Sequence, residues 1–249
     1  MPSYTSLEGI LTTTLGLTRR PVAIAFRDDA PPGVAQFTGT QPSGCSFWKL
    51  AADGDAFYTL PGDHYNCPVG SYTHNIPLPV ERAQELPQVL GVMTELGYLK
   101  MEEVPGIPRL AKTPGVIIYA PLGETPVEPD AVILAGRPGG LMLLHEAATR
   151  SSIDMQPLFG RPTCMAIPAA MSRSVANSFG CVGNRIYTSL ASDELYSVVS
   201  GTQLETLTEQ LATIVSANAA LTGYHEGRLA TLRRGPFGSA GEPERLAPQ

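Results

Sequence analysis

Apolar residues recur along this chain at two spacings, one typical of amphipathic helices and one typical of buried strands. Over residues 5–16, leucine and isoleucine occupy positions i, i+3, i+4 and i+8, which form one face of a helix. Residues 79–97 and 203–232 also have helical patterns, and a Thr202–Glu205 capping box begins the second. Short apolar runs predict strands at 21–26, 56–60, 115–120, 130–135 and 195–200.

Shorter patterns complete the predicted order of elements. They predict helices at 47–52 and 141–149, and a strand–helix unit at 162–168 and 169–177. Strands and helices alternate without a regular βαβ repeat. We therefore predict an α+β (irregular α/β) fold, a mixed sheet flanked by helices with a long C-terminal helix. The chain contains no clear linker, which predicts one domain over 1–233, and the aperiodic residues 234–249 predict a disordered tail.

The composition narrows the class of protein. The chain has 249 residues, enough to bury a large core, and 43% of them are hydrophobic. Charged residues make up only 16% of the chain, against about 25% in an average soluble domain. A net charge of -6, without a run of Lys or Arg, argues against nucleic-acid binding. The low charge is consistent with a homo-oligomer or with a buried cofactor.

The sequence predicts a cytoplasmic protein. Its first residues lack the basic and long apolar regions of a signal peptide, and no apolar run reaches the roughly 18 residues that a membrane span requires. In the cytoplasm, cysteines serve metal or redox chemistry more often than structural disulfides. The chain has four cysteines, which are Cys45, Cys67, Cys164 and Cys181.

Two of these cysteines lie in glycine-containing segments suited to binding a metal group. In His64-Tyr65-Asn66-Cys67-Pro68-Val69-Gly70, the thiolate and the imidazole of His64 are potential ligands, and Gly70 allows close backbone approach. In Ser178-Phe179-Gly180-Cys181-Val182-Gly183-Asn184-Arg185, Gly183 keeps the loop open and Arg185 is able to lower a thiol pKa or pair with an anion. Each segment also fits an ordinary alternative. For the first segment it is a buried structural cysteine beside a histidine at a turn, and for the second it is a tight turn with a salt-bridged arginine.

Cys45 and Cys164 have less distinctive surroundings, but the spacing of the four cysteines roughly repeats. Cys45 precedes Cys67 by 22 residues, and Cys164 precedes Cys181 by 17 residues. Two equivalent half-sites would together form one pocket with four thiolates. This pattern predicts that all four cysteines are metal ligands.

Two further segments are weaker candidates. Gly136-Arg137-Pro138-Gly139-Gly140 joins a predicted strand to a predicted helix, where backbone amides can hold an anion, but it matches neither G-x-G-x-x-G nor a P-loop. His145 and Glu146 on the following helix are a potential general base or ligand pair, and the ordinary interpretation is a solvated helix face.

These motifs resemble DUF169, a domain-of-unknown-function family of bacterial and archaeal proteins. The resemblance runs from Leu17 to the start of the last predicted helix. It is most specific in the Cys67 and Cys181 segments and at 128–133 and 160–164. It implies a cysteine-containing domain in which Cys67 and Cys181 form a functional pair, and it implies no particular reaction.

The favoured hypothesis is a metal-cofactor protein in which the four cysteines hold a [4Fe–4S] cluster and exchange electrons with a redox partner protein. Structural zinc is less favoured because zinc ligands commonly occur as closely spaced pairs. Three alternatives stay open: haem with Cys67, His64 or His145 as axial ligand, a metal-free enzyme with Cys67 or Cys181 as nucleophile, and a structural homo-oligomer packed through the 203–232 helix. No nucleic-acid or membrane partner is expected.

Overall fold

The computed structural model describes residues 3–172 and 174–234. Its strands are β1 (Val22–Arg27), β2 (Ala35–Gln36), β3 (Phe57–Thr59), β4 (Val116–Pro121), β5 (Ala131–Gly136), β6 (Asp154–Phe159), β7 (Ser174–Ser178) and β8 (Leu195–Ser200). Its helices are α1 (Tyr4–Leu15), α2 (Ser46–Asp53), α3 (Pro68–Thr73), α4 (Glu85–Glu95), α5 (Pro138–Arg150), α6 (Ala166–Ala170), α7 (Val182–Thr188) and α8 (Leu204–Arg234). The predicted disordered tail lies outside the described residues, apart from Arg234 at the end of α8.

The eight strands form one mixed sheet in the order β2-β3-β4-β1-β5-β8-β7-β6. The pairs β2–β3 and β6–β7 at the two edges are parallel, and the other neighbouring strands are antiparallel. Together with the flanking helices and the 31-residue α8, this sheet confirms the predicted α+β fold.

The strand order repeats a four-stranded unit. The first unit, β1–β4, has the order β2-β3-β4-β1, and the second unit, β5–β8, has the order β6-β7-β8-β5 with the same pairings. The two units meet at the antiparallel pair β1–β5, centred where Ala23 pairs with Val132. Since equivalent strands are antiparallel there, a two-fold axis perpendicular to the sheet relates the units. The helices repeat too: α2 and α3 follow β2 and β3, as α6 and α7 follow β6 and β7.

Helices cover both faces of the sheet. On one face, which we call the cysteine face, α2 and α6 pack with Cys45 and Cys164 against side chains such as Ile24 and Ile133. On the opposite face, α1, α5 and α8 pack through a second apolar cluster that includes Leu144. Every residue of β4 and β5 is buried, because successive side chains of a strand point to opposite faces and both faces are covered.

The predicted helices at the two ends of the chain are confirmed, as α1 and α8. Ser3 caps α1 by accepting a hydrogen bond from the Ser6 amide, and Gly16 ends it with a φ of 57°. In α8, Leu204, Leu207 and Leu211 are buried, and most later residues are exposed. None of the helices within 3–172 and 174–234 combines the length and the apolar character needed to cross a membrane.

The structure corrects the predicted strand–helix unit at 162–177. The run 162–168 forms a 3-10 turn, Thr163–Met165, and the beginning of α6 instead of a strand. The predicted helix at 169–177 contains most of strand β7. Most of this segment is buried, and a short apolar run covered on all sides has no periodicity that separates helix from strand.

Candidate functional site

All four cysteines lie at the starts of helices. Cys45, Cys67 and Cys181 occupy the N-cap positions of α2, α3 and α7, and Cys164 lies in the 3-10 turn that leads into α6. In each unit, one cysteine follows the first strand of the parallel edge pair and the other follows the second strand. The repeated cysteine spacing of the sequence therefore corresponds to the repeated strand order of the sheet.

Contacts between the two units bring these helix starts together. Helix α2 packs against α7, and α3 packs against the 3-10 turn that carries Cys164. The Cys181 amide donates a hydrogen bond to Thr163 Oγ1 at 2.5 Å, so Cys181 adjoins the same turn. Thr73 at the end of α3 lies beside the Cys164 thiol. Two thiols from each unit thus share one site, where they are close enough to interact electrostatically.

The thiols of the first unit have close polar neighbours. Ser43 Oγ lies 3.1 Å from Cys45 Sγ, and the Gly70 amide donates to Cys67 Sγ at 3.3 Å. The Gly44 amide also lies beside the Cys67 thiol. Amides that point at a sulfur favour its anionic form, which is the form that binds metal.

Burial divides the four thiols into an inner and an outer pair. Cys45 and Cys164, the inner pair, are 8% and 9% exposed, and Cys67 and Cys181, the outer pair, are partly exposed. Burial raises the pKa of Cys45 to about 12, raises the pKa of Cys67 and raises the pKa of Cys164 well above its usual value. These three groups are therefore neutral thiols at pH 7 unless a positively charged group binds them.

Two buried histidines beside the site each have one ring nitrogen without a hydrogen-bond partner among the described residues. His64 Nε2 lies 2.8 Å from the Thr59 hydroxyl, which also lies 3.3 Å from the Ile117 carbonyl oxygen, and His64 Nδ1 is the other ring nitrogen. His74 Nδ1 donates to the Gly70 carbonyl at 3.0 Å, which leaves Nε2 unprotonated. These two unpartnered nitrogens are His64 Nδ1 and His74 Nε2.

Burial keeps both imidazoles neutral. The centroid of the His64 ring lies 4.9 Å from that of Phe47, 6.3 Å from that of Tyr119 and 6.1 Å from that of His74. Burial lowers the pKa of His64 to about 3 and the pKa of His74 to about 4. His64, the predicted ligand, borders the cysteine loop, because a Cβ at Gly44 would lie 3.4 Å from its Nδ1.

We expect the stability of the chelator-treated protein to fall as the pH drops below about 6.5. Both histidines have a lower pKa in the folded state than in the unfolded state, so the unfolded chain binds more protons as the pH falls. Their contribution is complete above about pH 6.5 and is lost as the pH falls towards about 4 for His74 and about 3 for His64. Each histidine contributes up to about 1.4 kcal/mol per pH unit. Thermal unfolding followed by circular dichroism across this range measures the slope.

Three histidine variants separate this effect from general acid denaturation. His64→Gln and His74→Gln should each flatten the dependence of stability on pH, because each removes one group that must stay neutral to fold. His225→Gln, on the exposed part of α8, should leave the slope unchanged. A wild-type slope in both of the buried variants would contradict the prediction.

The two glycines predicted to contact a cofactor differ in their surroundings. A Cβ at Gly70 would lie 3.0 Å from Cys67 Sγ, so glycine at this position allows the first turn of α3 to fold against its own capping thiol. A Cβ at Gly183 would meet the Tyr187 ring at 3.5 Å, which is ordinary van der Waals contact. Gly70 therefore shapes the Cys67 loop directly, and Gly183 lies in the first turn of α7 with space beside it.

Arg185 holds the loop that carries Cys181. Its guanidinium donates to the carbonyls of Phe179, Ala191 and Glu194, on both sides of α7. These bonds fasten α7 and the loop before it to the start of β8. The structure thus gives Arg185 a role in placing the Cys181 loop.

His145 and the glycine-rich segment at 136–140 lie away from the thiols. His145 Nε2 is 2.7 Å from Asn177 Oδ1 and 3.3 Å from Ser197 Oγ, on the face opposite the cysteine face. A Cβ at Gly140 would lie 1.9 Å from the Leu15 carbonyl oxygen, so this glycine permits α5 to pack closely on the end of α1. The sheet separates His145 from the four cysteines.

Three polar residues of the site carry no sequence signal for it. Tyr119 lies in the apolar run of β4, where the hydrophobic pattern indicates only a buried strand. His74 ends α3, a helix too short to produce a recognisable period. Asn184 is part of the Cys181 segment, but its buried position on α7 becomes evident only from the packing of α7 against α2.

The fold and the site together describe an α+β protein of two equivalent units, with four cysteines brought together on one face of the sheet. The sequence profile of DUF169, described as "Uncharacterised ArCR", matches residues 10–210. The chain belongs to this family, and the matched region contains both units and all four cysteines. No curated protein and no solved structure gives a significant match to the chain.

Proposed function

We propose that this protein holds an iron–sulfur cluster through Cys45, Cys67, Cys164 and Cys181 and takes part in electron transfer. The observation that carries the proposal is the convergence of four cysteines, two from each unit, on one partly buried site. When bound, such a cluster supplies one-electron redox chemistry. The outer pair lies near the surface, where a redox partner protein can approach.

The spacing of the cysteines along the sequence favours a cluster over zinc, because zinc ligands commonly occur as closely spaced pairs. Within 3–172 and 174–234, no group of three or more His, Cys, Asp and Glu side chains is placed to hold one ion. Each thiolate of a [4Fe–4S] cluster binds a different iron, so these ligands lie farther apart than the four ligands of one zinc ion. Two equivalent cysteine pairs also suit a cofactor with four equivalent ligand positions.

The protonation of three of the four thiols favours a bound cofactor over free thiol chemistry. A nucleophilic cysteine needs a lowered pKa, whereas burial raises the pKa of Cys45, Cys67 and Cys164. Neighbouring thiolates would also repel one another. A bound metal group offsets both the cost of burying a thiolate and the repulsion between thiolates. Its positive charge deprotonates the coordinating thiols outright and balances their negative charges.

Haem ligation has less support from the surroundings of its two candidate histidines. His145 lies across the sheet from the thiols. The His64 ring packs against the rings of Phe47 and Tyr119, and its second nitrogen is bonded to Thr59. His64 is also buried, so its ring nitrogens lie out of reach of a porphyrin.

Anaerobic purification with elemental analysis tests the proposed function. We expect a brown protein that absorbs near ~400 nm and contains about four iron atoms and about four sulfides per chain. A chain with all four cysteines replaced by serine, treated in parallel, accounts for adventitious iron. A colourless protein with stoichiometric zinc, or a Soret band without sulfide, would overturn the proposal.

A further inference from the structure

Several buried polar side chains lack hydrogen-bond partners among the described residues, and Tyr119 and Asn184 are two of them, along with Trp48, His64 and His74. Tyr119 is 0% exposed and its hydroxyl is unpartnered, and Asn184 is 1% exposed with both amide atoms unpartnered. Native proteins satisfy most buried polar groups, since an unsatisfied one lowers stability. Two such groups near the same thiol, Cys45, indicate a partner that the polypeptide itself does not supply.

Both side chains lie at the inner pair of thiols. Tyr119 belongs to the same buried cluster as Cys45 and Cys164, and these two thiols are its ionisable neighbours. The Asn184 amide lies beside the Cys45 thiol and the Tyr196 hydroxyl without reaching the geometry of a hydrogen bond to either. The hydroxyl and the amide thus approach the inner end of the four-thiol site from β4 and α7.

The two residues also depart from the internal repeat of the fold. Asn184 is the third residue after Cys181, and the third residue after Cys67 is Gly70, whose amide bonds to its own capping thiol. Tyr119 pairs with Ile24 across β4 and β1, and the equivalent pair in the second unit is Val198 with Ile133. The repeated packing therefore does not require a polar side chain at either position.

We propose that Tyr119 and Asn184 donate hydrogen bonds to the sulfurs at the inner pair, Cys45 and Cys164, and thereby raise the reduction potential of the bound cluster. The inference rests on the proposed function. Reduction adds one electron, supplied by the redox partner, and increases the negative charge on the sulfurs. Hydrogen bonds to those sulfurs therefore stabilise the reduced state more than the oxidised state. Both are positioning residues, because they act on the cluster and do not ligate it.

The test compares reduction potentials in the reconstituted full-length protein. Tyr119→Phe keeps the ring that stacks on Phe47 and removes only the hydroxyl, and Asn184→Leu removes the amide at similar volume. We expect both variants to keep iron and to have a more negative midpoint potential, and the double variant to be lower still. The matched control is Tyr58→Phe, whose hydroxyl bonds to Gln36 and whose ring packs on the opposite face; its potential should equal that of the wild type.

A second measurement keeps the inference testable if a variant binds iron poorly. In the chelator-treated protein, both variants should unfold at or above the wild-type temperature, because each loses an unsatisfied buried group. If a variant loses iron but unfolds at or above the wild-type temperature, the loss supports hydrogen-bond donation by that residue to the cluster sulfurs. Unchanged potentials in both variants, or lower unfolding temperatures in both, would overturn it. A wild-type protein that takes up no iron would instead refute the proposed function, before any variant is compared.

Discussion

Cys67→Ser is expected to reduce the iron content to below about one tenth of the wild-type value, and Cys181→Ser to do the same. A serine hydroxyl is a poor ligand for iron, because it is harder than a thiolate and stays protonated at neutral pH. Each substitution removes one of two outer ligands from opposite units of the fold. Iron and sulfide analysis after anaerobic reconstitution, with the absorption near ~400 nm, measures the loss.

The same variants should keep the fold. Cys67 and Cys181 are only partly buried, so we expect the free energy of unfolding of the chelator-treated protein to change by less than about 1 kcal/mol. Val182→Ala is the matched control, since Val182 adjoins Cys181 and is 61% exposed, and it should retain wild-type iron. If both serine variants keep their full iron content, the assignment of the ligands is wrong.

Gly140→Ala is expected to lower the free energy of unfolding by about 3 kcal/mol or more. A Cβ at this position would lie 1.9 Å from the carbonyl oxygen of Leu15, and the obstacle is backbone that no side-chain rotation can move. Relief requires α1 and α5 to separate where Leu11 and Leu144 are buried between them and the sheet. Urea unfolding followed by circular dichroism measures the change.

The neighbouring glycine is a matched control for this prediction. Gly139 lies in the same first turn of α5 and is exposed, and a Cβ there would have no atom within 4 Å. Gly139→Ala should leave stability unchanged or raise it by up to about 1 kcal/mol, because alanine has the higher helix propensity. Equal stabilities of the two variants would show that α5 does not pack as described.

The predicted elements succeeded where one face of an element is exposed or where an apolar run has flanking turn signals. The stripe at 5–16 and the runs at 115–120 and 130–135 correspond to α1, β4 and β5. The failures are at 162–177, where the chain is buried on most sides and the hydrophobic pattern loses its period. The hydrophobic pattern also does not predict short helices such as α3 and α7, because six or seven residues cannot establish an amphipathic stripe.

The sequence predicts that the four cysteines form one site, but it does not predict what surrounds them. Cysteine is a specific residue type, so four scattered cysteines with a roughly repeated spacing were sufficient to suggest one pocket. Tyr119, His74 and Asn184 belong to common residue types in ordinary contexts, and the position of each depends on which helices pack over which strands. In the segment at 136–140, which the sequence suggests as an anion-binding loop, Gly140 allows α5 to approach α1 closely.

The sequence by itself determined the residue chemistry, the α+β class and the order of most elements, because local periodicity and residue type do not depend on distant contacts. Only the tertiary structure decided that the two four-stranded units pair through β1 and β5, and that this pairing places two thiols from each unit in one site. Strand order is set by contacts between residues more than one hundred positions apart, such as Ala23 and Val132. A single sequence contains no local signal for such contacts.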